Sequence, residues 1–215
     1  MKNKVIDGII EEKSDSKIIN ACVIVAHPDD ETLWAGGVIL SHLHWKWSIL
    51  SLCRRDDPDR SKKFYRVMES IHAWGIMGNL DDGPQQNPLP MDLVENEIIH
   101  LLPKNNFDLI ISHDPNGEYT RHRRHEEIGI CVSRFLKTGI LSAENYWTFA
   151  YEDGNKKYLP RIKQNADYIY ALPKEIWIRK YEIITKIYGF EKSSFEARTT
   201  PRKEGFNCKN FSYYK

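Results

Sequence analysis

The sequence predicts an α/β protein with a Rossmann-like, doubly wound, mostly parallel sheet flanked by helices. Short apolar runs rich in β-branched residues alternate with longer segments whose apolar residues recur at helical spacing. Strands that alternate with helices favour a parallel sheet, and right-handed crossovers place the helices on both of its faces.

The elements follow in order along the chain. Apolar runs predict buried strands at residues 18–26, 47–53, 107–112, 146–150 and 167–172. Helical spacing and end signals predict helices at residues 31–43, 59–74, 91–102, 124–137 and 174–188. In the second helix Val67, Ile71 and Trp74 share one face, and Gly75 is expected to end it. Residues 76–90 are rich in Gly, Pro and Asn and predict at most a short strand. The polar tail from Ser193 receives no assignment.

The size and charge of the chain limit the classes of protein it can belong to. Its 215 residues suffice for one packed domain. We expect residues 1–16 to form an N-terminal arm, 17–150 the core that carries the site, and 151–215 a strand and helix extension. A formal net charge of +1 gives no field that would attract nucleic acid.

The cysteines and the chain start indicate a cytoplasmic protein without a membrane span. The four cysteines form no CxxC pair, so neither a cysteine zinc site nor a redox motif is indicated. The first residues are polar and charged, so we expect no signal peptide. No apolar run approaches the roughly 18 residues that span a bilayer.

Two unusual segments, residues 26–31 and 113–126, each follow a strong strand. The carboxyl ends of parallel strands meet at one edge of a sheet, so these segments should lie together. His27 and Asp30, three residues apart at a strand-to-helix turn, can point at one metal ion. Imidazole nitrogen and carboxylate oxygen suit Zn²⁺ or another divalent cation.

A catalytic metal site needs about three protein ligands and an open position. His125, in the first turn of the later helix, is the natural third ligand, and His122 lies close enough to share the pocket. Asp29 is then free to act as general base on a metal-bound water. In the simpler alternative, Asp29 or Asp30 caps the helix, and residues 121–125 form a basic surface patch that contacts phosphate.

The segment Ala26-His27-Pro28-Asp29-Asp30-Glu31 resembles the signature of the PIG-L/LmbE family of zinc-dependent N-acetylglucosaminyl deacetylases. Further similar segments are 66–69, 73–75, Asp82-Gly83, and 113–119 followed by His122 and His125. Together they span about residues 18–150, whereas residues 151–215 carry no similarity that we recognise.

The resemblance implies a role for each matched residue. His27, Asp30 and His125 would bind Zn²⁺. Asp29 would be the general base that later protonates the departing amine, and His122 would stabilise the oxyanion. The family commonly has His-Pro-Asp-His where this chain has His-Arg-Arg-His, and the cation at Arg124 should disfavour protonated His122.

Two further residues are candidate contacts to substrate. Asp82 is included because the family resemblance covers it. Arg55 follows the second predicted strand at the same sheet edge and is expected to reach the pocket. Its neighbours Arg54 and Asp57 are expected to form a solvated charged turn.

The sequence therefore predicts a metal-dependent hydrolase that removes an N-acetyl group from a glucosamine-like sugar or conjugate. One alternative is a deacylase of another amino-sugar amide in secondary-metabolite or thiol-cofactor biosynthesis. A second is an inactive Rossmann-like module that binds a sugar or nucleotide, although no GxGxxG follows the first strand. Nucleic-acid binding through residues 121–124 would need a broader basic face. By analogy with relatives we expect a homo-oligomer.

Overall fold

The computed structural model describes residues 18–209, so the predicted N-terminal arm lies outside the described residues. The strands are β1 Asn20–Val25, β2 Lys46–Cys53, β3 Trp74–Leu80, β4 Asn106–Ser112, β5 Ser142–Phe149, β6 Tyr151–Glu152, β7 Arg161–Ile162, β8 Tyr168–Ala171 and β9 Lys203–Lys209. The helices are α1 Asp30–Ser41, α2 Pro58–Ser70, α3 Met91–Leu101, α4 Arg123–Thr138, α5 Lys174–Glu182, which continues as a π-helical turn at Ile183–Ile187, and α6 Phe195–Thr199.

Seven strands form one sheet in the order β3-β2-β1-β4-β5-β9-β8. The first five of these strands pair in parallel. Strand β9 pairs antiparallel with both β5 and β8. The α/β class with a mostly parallel, helix-flanked sheet is thus confirmed. The direction of winding reverses between β1 and β4, and the crevice beyond their carboxyl ends is where such sheets bind ligands.

Strand β1 is buried on both faces and separates two apolar cores. Val23 and Val25 contact the core that includes α1 and α2. Cys22 and Ile24 contact the core that includes α3 and α4. A strand that is covered on both faces has a continuous apolar sequence, and this is why the sequence of β1 predicts a buried strand.

The predicted second helix is too long at its carboxyl end. Helix α2 ends at Ser70, and Trp74 begins β3 instead of completing the helical face. Gly75 lies within β3, where a Cβ would collide with Met68 of α2. Its small size therefore serves the close packing of helix on strand, and β3 is a full seven-residue strand.

The tail that the sequence left unassigned completes the sheet. Strand β9 inserts between β5 and β8, and its Glu204 accepts a hydrogen bond of 2.6 Å from Lys180 of α5. Both side chains are fully buried. Burial lowers the pKa of Lys180, and Glu204 opposes that shift. Glu204 also accepts the amide of Val38 in α1, so this ion pair joins β9 to two helices.

None of the helices in residues 18–209 has the length and apolar content that crossing a bilayer requires.

Replacing Lys180 with Met should leave Glu204 buried without its counter-ion. We expect the free energy of unfolding to fall by about 3–5 kcal/mol, measured by urea denaturation. The control is Lys186→Met, which breaks an exposed pair of 2.6 Å with Glu182 and should cost less than about 1 kcal/mol. Equal stability of the two variants would contradict a structural role for the buried pair.

Candidate functional site

The loops after β1 and β4 meet at the carboxyl edge of the sheet. The first loop runs from Ala26 into α1, and Asp29 within it has φ 135°. A non-glycine residue with such a φ is strained by about 1–3 kcal/mol. Glu31 accepts the Asp29 amide at 3.0 Å, which holds this conformation. The backbone thereby turns Asp29 away from its neighbour Asp30.

His27, Asp30 and His125 converge on one point. The distances are 3.1 Å between His27 Nδ1 and Asp30 Oδ2, 3.3 Å between His27 Nδ1 and His125 Nε2, and 3.4 Å between His125 Nε2 and Asp30 Oδ2. Tetrahedral Zn²⁺ with ligands at about 2.0–2.1 Å separates neighbouring ligand atoms by about 3.3 Å. The three atoms therefore form one face of a suitable tetrahedron and leave its fourth corner open.

The electrostatics of this triangle also suit a cation. Burial raises the pKa of Asp30, but contacts with His125 and His27 hold it well below its usual range. Burial lowers the pKa of His125, yet Asp30 and Glu118 raise it to about 10. The cluster thus stabilises positive charge at the position where a metal would bind.

Glu118 supports two histidines with its two carboxylate oxygens. Oε2 lies 2.9 Å from His125 Nδ1, and Oε1 lies 2.9 Å from His113 Nδ1. The other nitrogen of His113, Nε2, accepts the Ala26 amide at 2.9 Å. Both nitrogens of His113 are occupied, so it serves as a bracket between the two loops and not as a ligand. The carboxylate on His125 is the orienting contact that metal-binding histidines usually have.

Asp82 supports His27 from the opposite side. Asp82 Oδ1 lies 3.1 Å from His27 Nε2, and Oδ2 accepts two hydrogen bonds from Arg54, at 3.0 and 2.6 Å. These contacts hold the pKa of Asp82 well below its usual range, although burial opposes them. Asp82 lines the pocket and lies against a candidate ligand, His27, whereas its contact with substrate stays a prediction.

His122 stacks on His125, with ring centroids 4.5 Å apart. Its Nδ1 is buried and makes no hydrogen bond within residues 18–209. Burial, followed by His125 and His27, lowers the pKa of His122 to about 3. The Arg124 guanidinium donates to the Asp81 and Asn87 carbonyls, and its expected effect on the protonation of His122 stays a prediction.

Asp29 faces the pocket beside the triangle. Its Oδ2 lies 3.2 Å from Arg60 Nη1, and the Arg60 guanidinium stacks on Phe190 at 4.7 Å. Burial and then Asp30 raise the pKa of Asp29 well above its usual value, while Arg60 opposes them. A carboxylate with a raised pKa accepts a proton more readily near neutral pH.

A cavity of about 220 Å³ is lined by His27, Asp29, Asp30, Asp82, His122 and His125, among others. Arg54 lines it, whereas the side chain of Arg55 is half exposed and contacts Asp56 at 3.1 Å. The expectation that Arg55 reaches the pocket is thus corrected. Arg54 has φ 67°, in the left-handed region, and its side chain pairs with Asp82 of the pocket. Asp57 caps α2 by accepting the amides of residues 59 and 60.

Several residues that line or support the pocket had no predicted role in the sequence. Tyr119 lines the pocket and Glu118 contacts His125; both belong to the 113–119 segment, whose spacing gave no reason to assign their contacts. Arg60 comes from α2. Phe195 and Glu196 come from α6, in the part of the chain that matched no known pattern.

The fold and the site together define an α/β protein with a histidine–aspartate cluster suited to a divalent metal. No family model matches the chain. The uncharacterized protein L374 of Acanthamoeba polyphaga mimivirus is 24% identical over 195 residues, which cover 84% of this chain and 81% of the viral protein.

Solved structures share the fold at low sequence identity. The N,N'-diacetylchitobiose deacetylase of Pyrococcus horikoshii is similar with a TM-score of 0.66 and 15% identity, covering 91% of this chain and 85% of its own. GalB, a 4-carboxy-2-hydroxymuconate hydratase of Pseudomonas putida, is similar with a TM-score of 0.60 and 12% identity, and the match covers 89% of this chain and 96% of GalB. A zinc-inhibited form of teicoplanin deacetylase Orf2 is similar with a TM-score of 0.59 and 10% identity, and the match covers 84% of this chain and 88% of Orf2. The chain therefore has the fold of PIG-L/LmbE-type deacetylases, and that fold also carries a hydratase.

Replacing Glu118 with Gln should weaken metal binding because it removes the charge that orients His125. We expect zinc affinity to fall by about 10- to 100-fold, measured by competition with a chromophoric chelator. Glu126→Gln, which alters a nearby carboxylate paired with exposed Arg121, is the matched control. His125→Ala should lose the metal almost completely. Unchanged affinity in Glu118→Gln would remove Glu118 from the metal centre.

Proposed function

We propose that this protein is a zinc-dependent hydrolase that removes an N-acetyl group from a glucosamine-like sugar or conjugate. The observation that carries the proposal is the triangle of candidate ligands His27, Asp30 and His125, with the carboxylate of Asp29 beside it in the same pocket. Bound there, Zn²⁺ would supply Lewis-acid polarisation of the acetyl carbonyl and lower the pKa of water. Another divalent metal would satisfy the same ligands.

Asp29 takes the proton from the attacking water and later passes it to the sugar nitrogen, so that the amine leaves as a neutral group. His122 faces the oxygen of the acetyl carbonyl, where charge develops in the transition state. Its depressed pKa makes it a neutral hydrogen-bond donor in this chain. Removing a donor of this kind costs other enzymes about 100- to 1000-fold in kcat.

The lining of the pocket is compatible with a polar, ring-shaped substrate. Tyr119 and Phe195 form an aromatic wall, with ring centroids 5.9 Å apart. Arg54 and Arg60 are each paired with a pocket carboxylate, so neither presents an uncompensated charge to a substrate anion. Aromatic faces with a few polar groups are the usual composition of a small-molecule site.

The comparisons support the reaction class without fixing the substrate. Two of the similar structures are named deacetylases, of diacetylchitobiose and of teicoplanin. Deacylation of another amino-sugar amide therefore remains the alternative within the class. The single-domain organisation, cytoplasmic location and homo-oligomeric state stay predictions, and so does the absence of nucleic acid as a partner.

The first test is amine release from a panel of N-acetylated sugars by zinc-loaded protein and by chelator-stripped protein. The panel contains N-acetylglucosamine, its β-linked dimer, a nucleotide-linked form and an inositol-linked form. Metal-dependent release from any member is the expected result. Protein that binds zinc but releases no amine would favour another amide or the hydratase chemistry found on this fold. Protein that binds no metal would favour a sugar- or nucleotide-binding module.

Replacing Asp29 with Asn should separate catalysis from metal binding. Asn keeps the shape of the side chain but cannot take the proton, so kcat should fall by about 100- to 10,000-fold. Zinc content, measured by mass spectrometry, should stay at the wild-type level. Asp59→Asn, on the exposed side of α2, is the control. Wild-type turnover by Asp29→Asn would rule out Asp29 as the base.

A further inference from the structure

The 81–89 loop, residues 81–89 between β3 and α3, contains no helix or strand. A segment of this kind depends on outside partners for its buried backbone groups. Arg124 of α4 supplies two of them, because its Nε donates to the Asp81 carbonyl and its Nη2 to the Asn87 carbonyl. Glu127, one turn further along α4, accepts the Leu89 amide at 3.0 Å.

Arg124 is an unusual anchor because its side chain is fully buried. A buried guanidinium is stable only when its donors and its charge are compensated. Here the two carbonyls take donors, and Glu127 Oε2 pairs with Nη1. Arg124 and Glu127 therefore act as one clamp on both ends of the 81–89 loop. Arg124 is also the residue directly before His125, so the clamp and a candidate ligand share one helical turn.

The clamped loop carries Asp82, whose Oδ1 lies 3.1 Å from His27 Nε2. Within the loop Gln86 donates to the same Oδ1 at 2.9 Å. The opposite nitrogen of the same ring, His27 Nδ1, is the corner of the ligand triangle. A contact chain thus runs from Arg124 through the loop backbone to Asp82 and then to His27.

We propose that Arg124 is a positioning residue that orients the imidazole of His27 for the metal through the 81–89 loop and Asp82. This inference rests on the metal centre of the proposed function. Through this chain of contacts, α4 controls two ligands: His125 directly and His27 at a distance. Loss of the clamp frees the backbone that carries Asp82 and leaves its carboxylate tethered through Arg54, so that His27 binds the metal with a less well-defined ring orientation.

The test is a double-mutant cycle on zinc affinity, read by chelator competition and therefore independent of turnover. The variants are Arg124→Lys, Asp82→Asn and the two combined. Lysine keeps the buried charge but has no planar fork to span both carbonyls. Each single change should weaken zinc binding by about 10- to 100-fold. The combined variant should bind zinc almost as tightly as the single variant with the lower zinc affinity, because both changes break the same chain of contacts.

Arg134→Met is the control on the same helix, where it breaks an exposed pair of 3.0 Å with Glu95 and should leave zinc affinity unchanged. Urea denaturation identifies any variant that fails to fold, and the visible spectrum of Co²⁺-loaded protein reports ligand geometry directly. We expect an altered Co²⁺ spectrum in folded Arg124→Lys. The inference would be wrong if Arg124→Lys kept wild-type zinc affinity and a wild-type Co²⁺ spectrum, or if the losses of zinc affinity multiplied in the double variant. Either result would leave the proposed function standing. Wild-type protein that binds neither metal would overturn it together with the proposed function.

Discussion

The site depends on the carboxylate of Glu118. One oxygen contacts His113 and the other contacts His125, both at 2.9 Å. Because Nε2 of His113 must accept the Ala26 amide, its proton resides on Nδ1 and points at Glu118. The loop after β1 and the loop after β4 are thereby tied at the point where the winding of the sheet reverses. Burial raises the pKa of Glu118, but His113 and His125 together lower it to about 2. The carboxylate that joins the two loops therefore stays charged.

Parallel topology explains why much of this site could be predicted from the sequence. Two strands that are buried on both faces give strong apolar signals, and the loops after them must share one edge of the sheet. On that basis the sequence predicts that His27 and Asp30 lie close to His125, almost a hundred residues away. In the structure His125 Nε2 lies 3.3 Å from His27 and 3.4 Å from Asp30. The side chains that contact these candidate ligands could not be found in the same way. The contacts of Glu118 depend on where both of its oxygens point, and sequence spacing carries no such information.

The errors lie where local signals conflict with tertiary packing. Gly75 resembles a helix terminus, but its lack of a Cβ serves the packing of Met68 on β3. Arg54 and Arg55 are neighbours, yet Arg54 pairs with Asp82 of the pocket and Arg55 with exposed Asp56. Strand β9 is polar at its exposed end and lacks a continuous apolar run, and the buried pair of Glu204 and Lys180 ties it to α5. None of these long-range partners can be read from the neighbouring sequence.

Fold alone does not decide the reaction, because hydratase and deacetylase structures share this architecture. What this chain adds is a different environment for each of two adjacent acids. Asp30 Oδ1 accepts a hydrogen bond of 3.2 Å from Trp34 Nε1, and its other oxygen faces the histidines. Asp29, turned away by its strained backbone, keeps its carboxylate in the cavity. The strain persists because Glu31 holds the Asp29 amide and is itself fixed by Tyr188 at 2.7 Å. Since Tyr188 lies in the region that matched no known pattern, residues beyond the motif help to hold the side chain of the proposed base, Asp29, apart from that of the proposed ligand, Asp30.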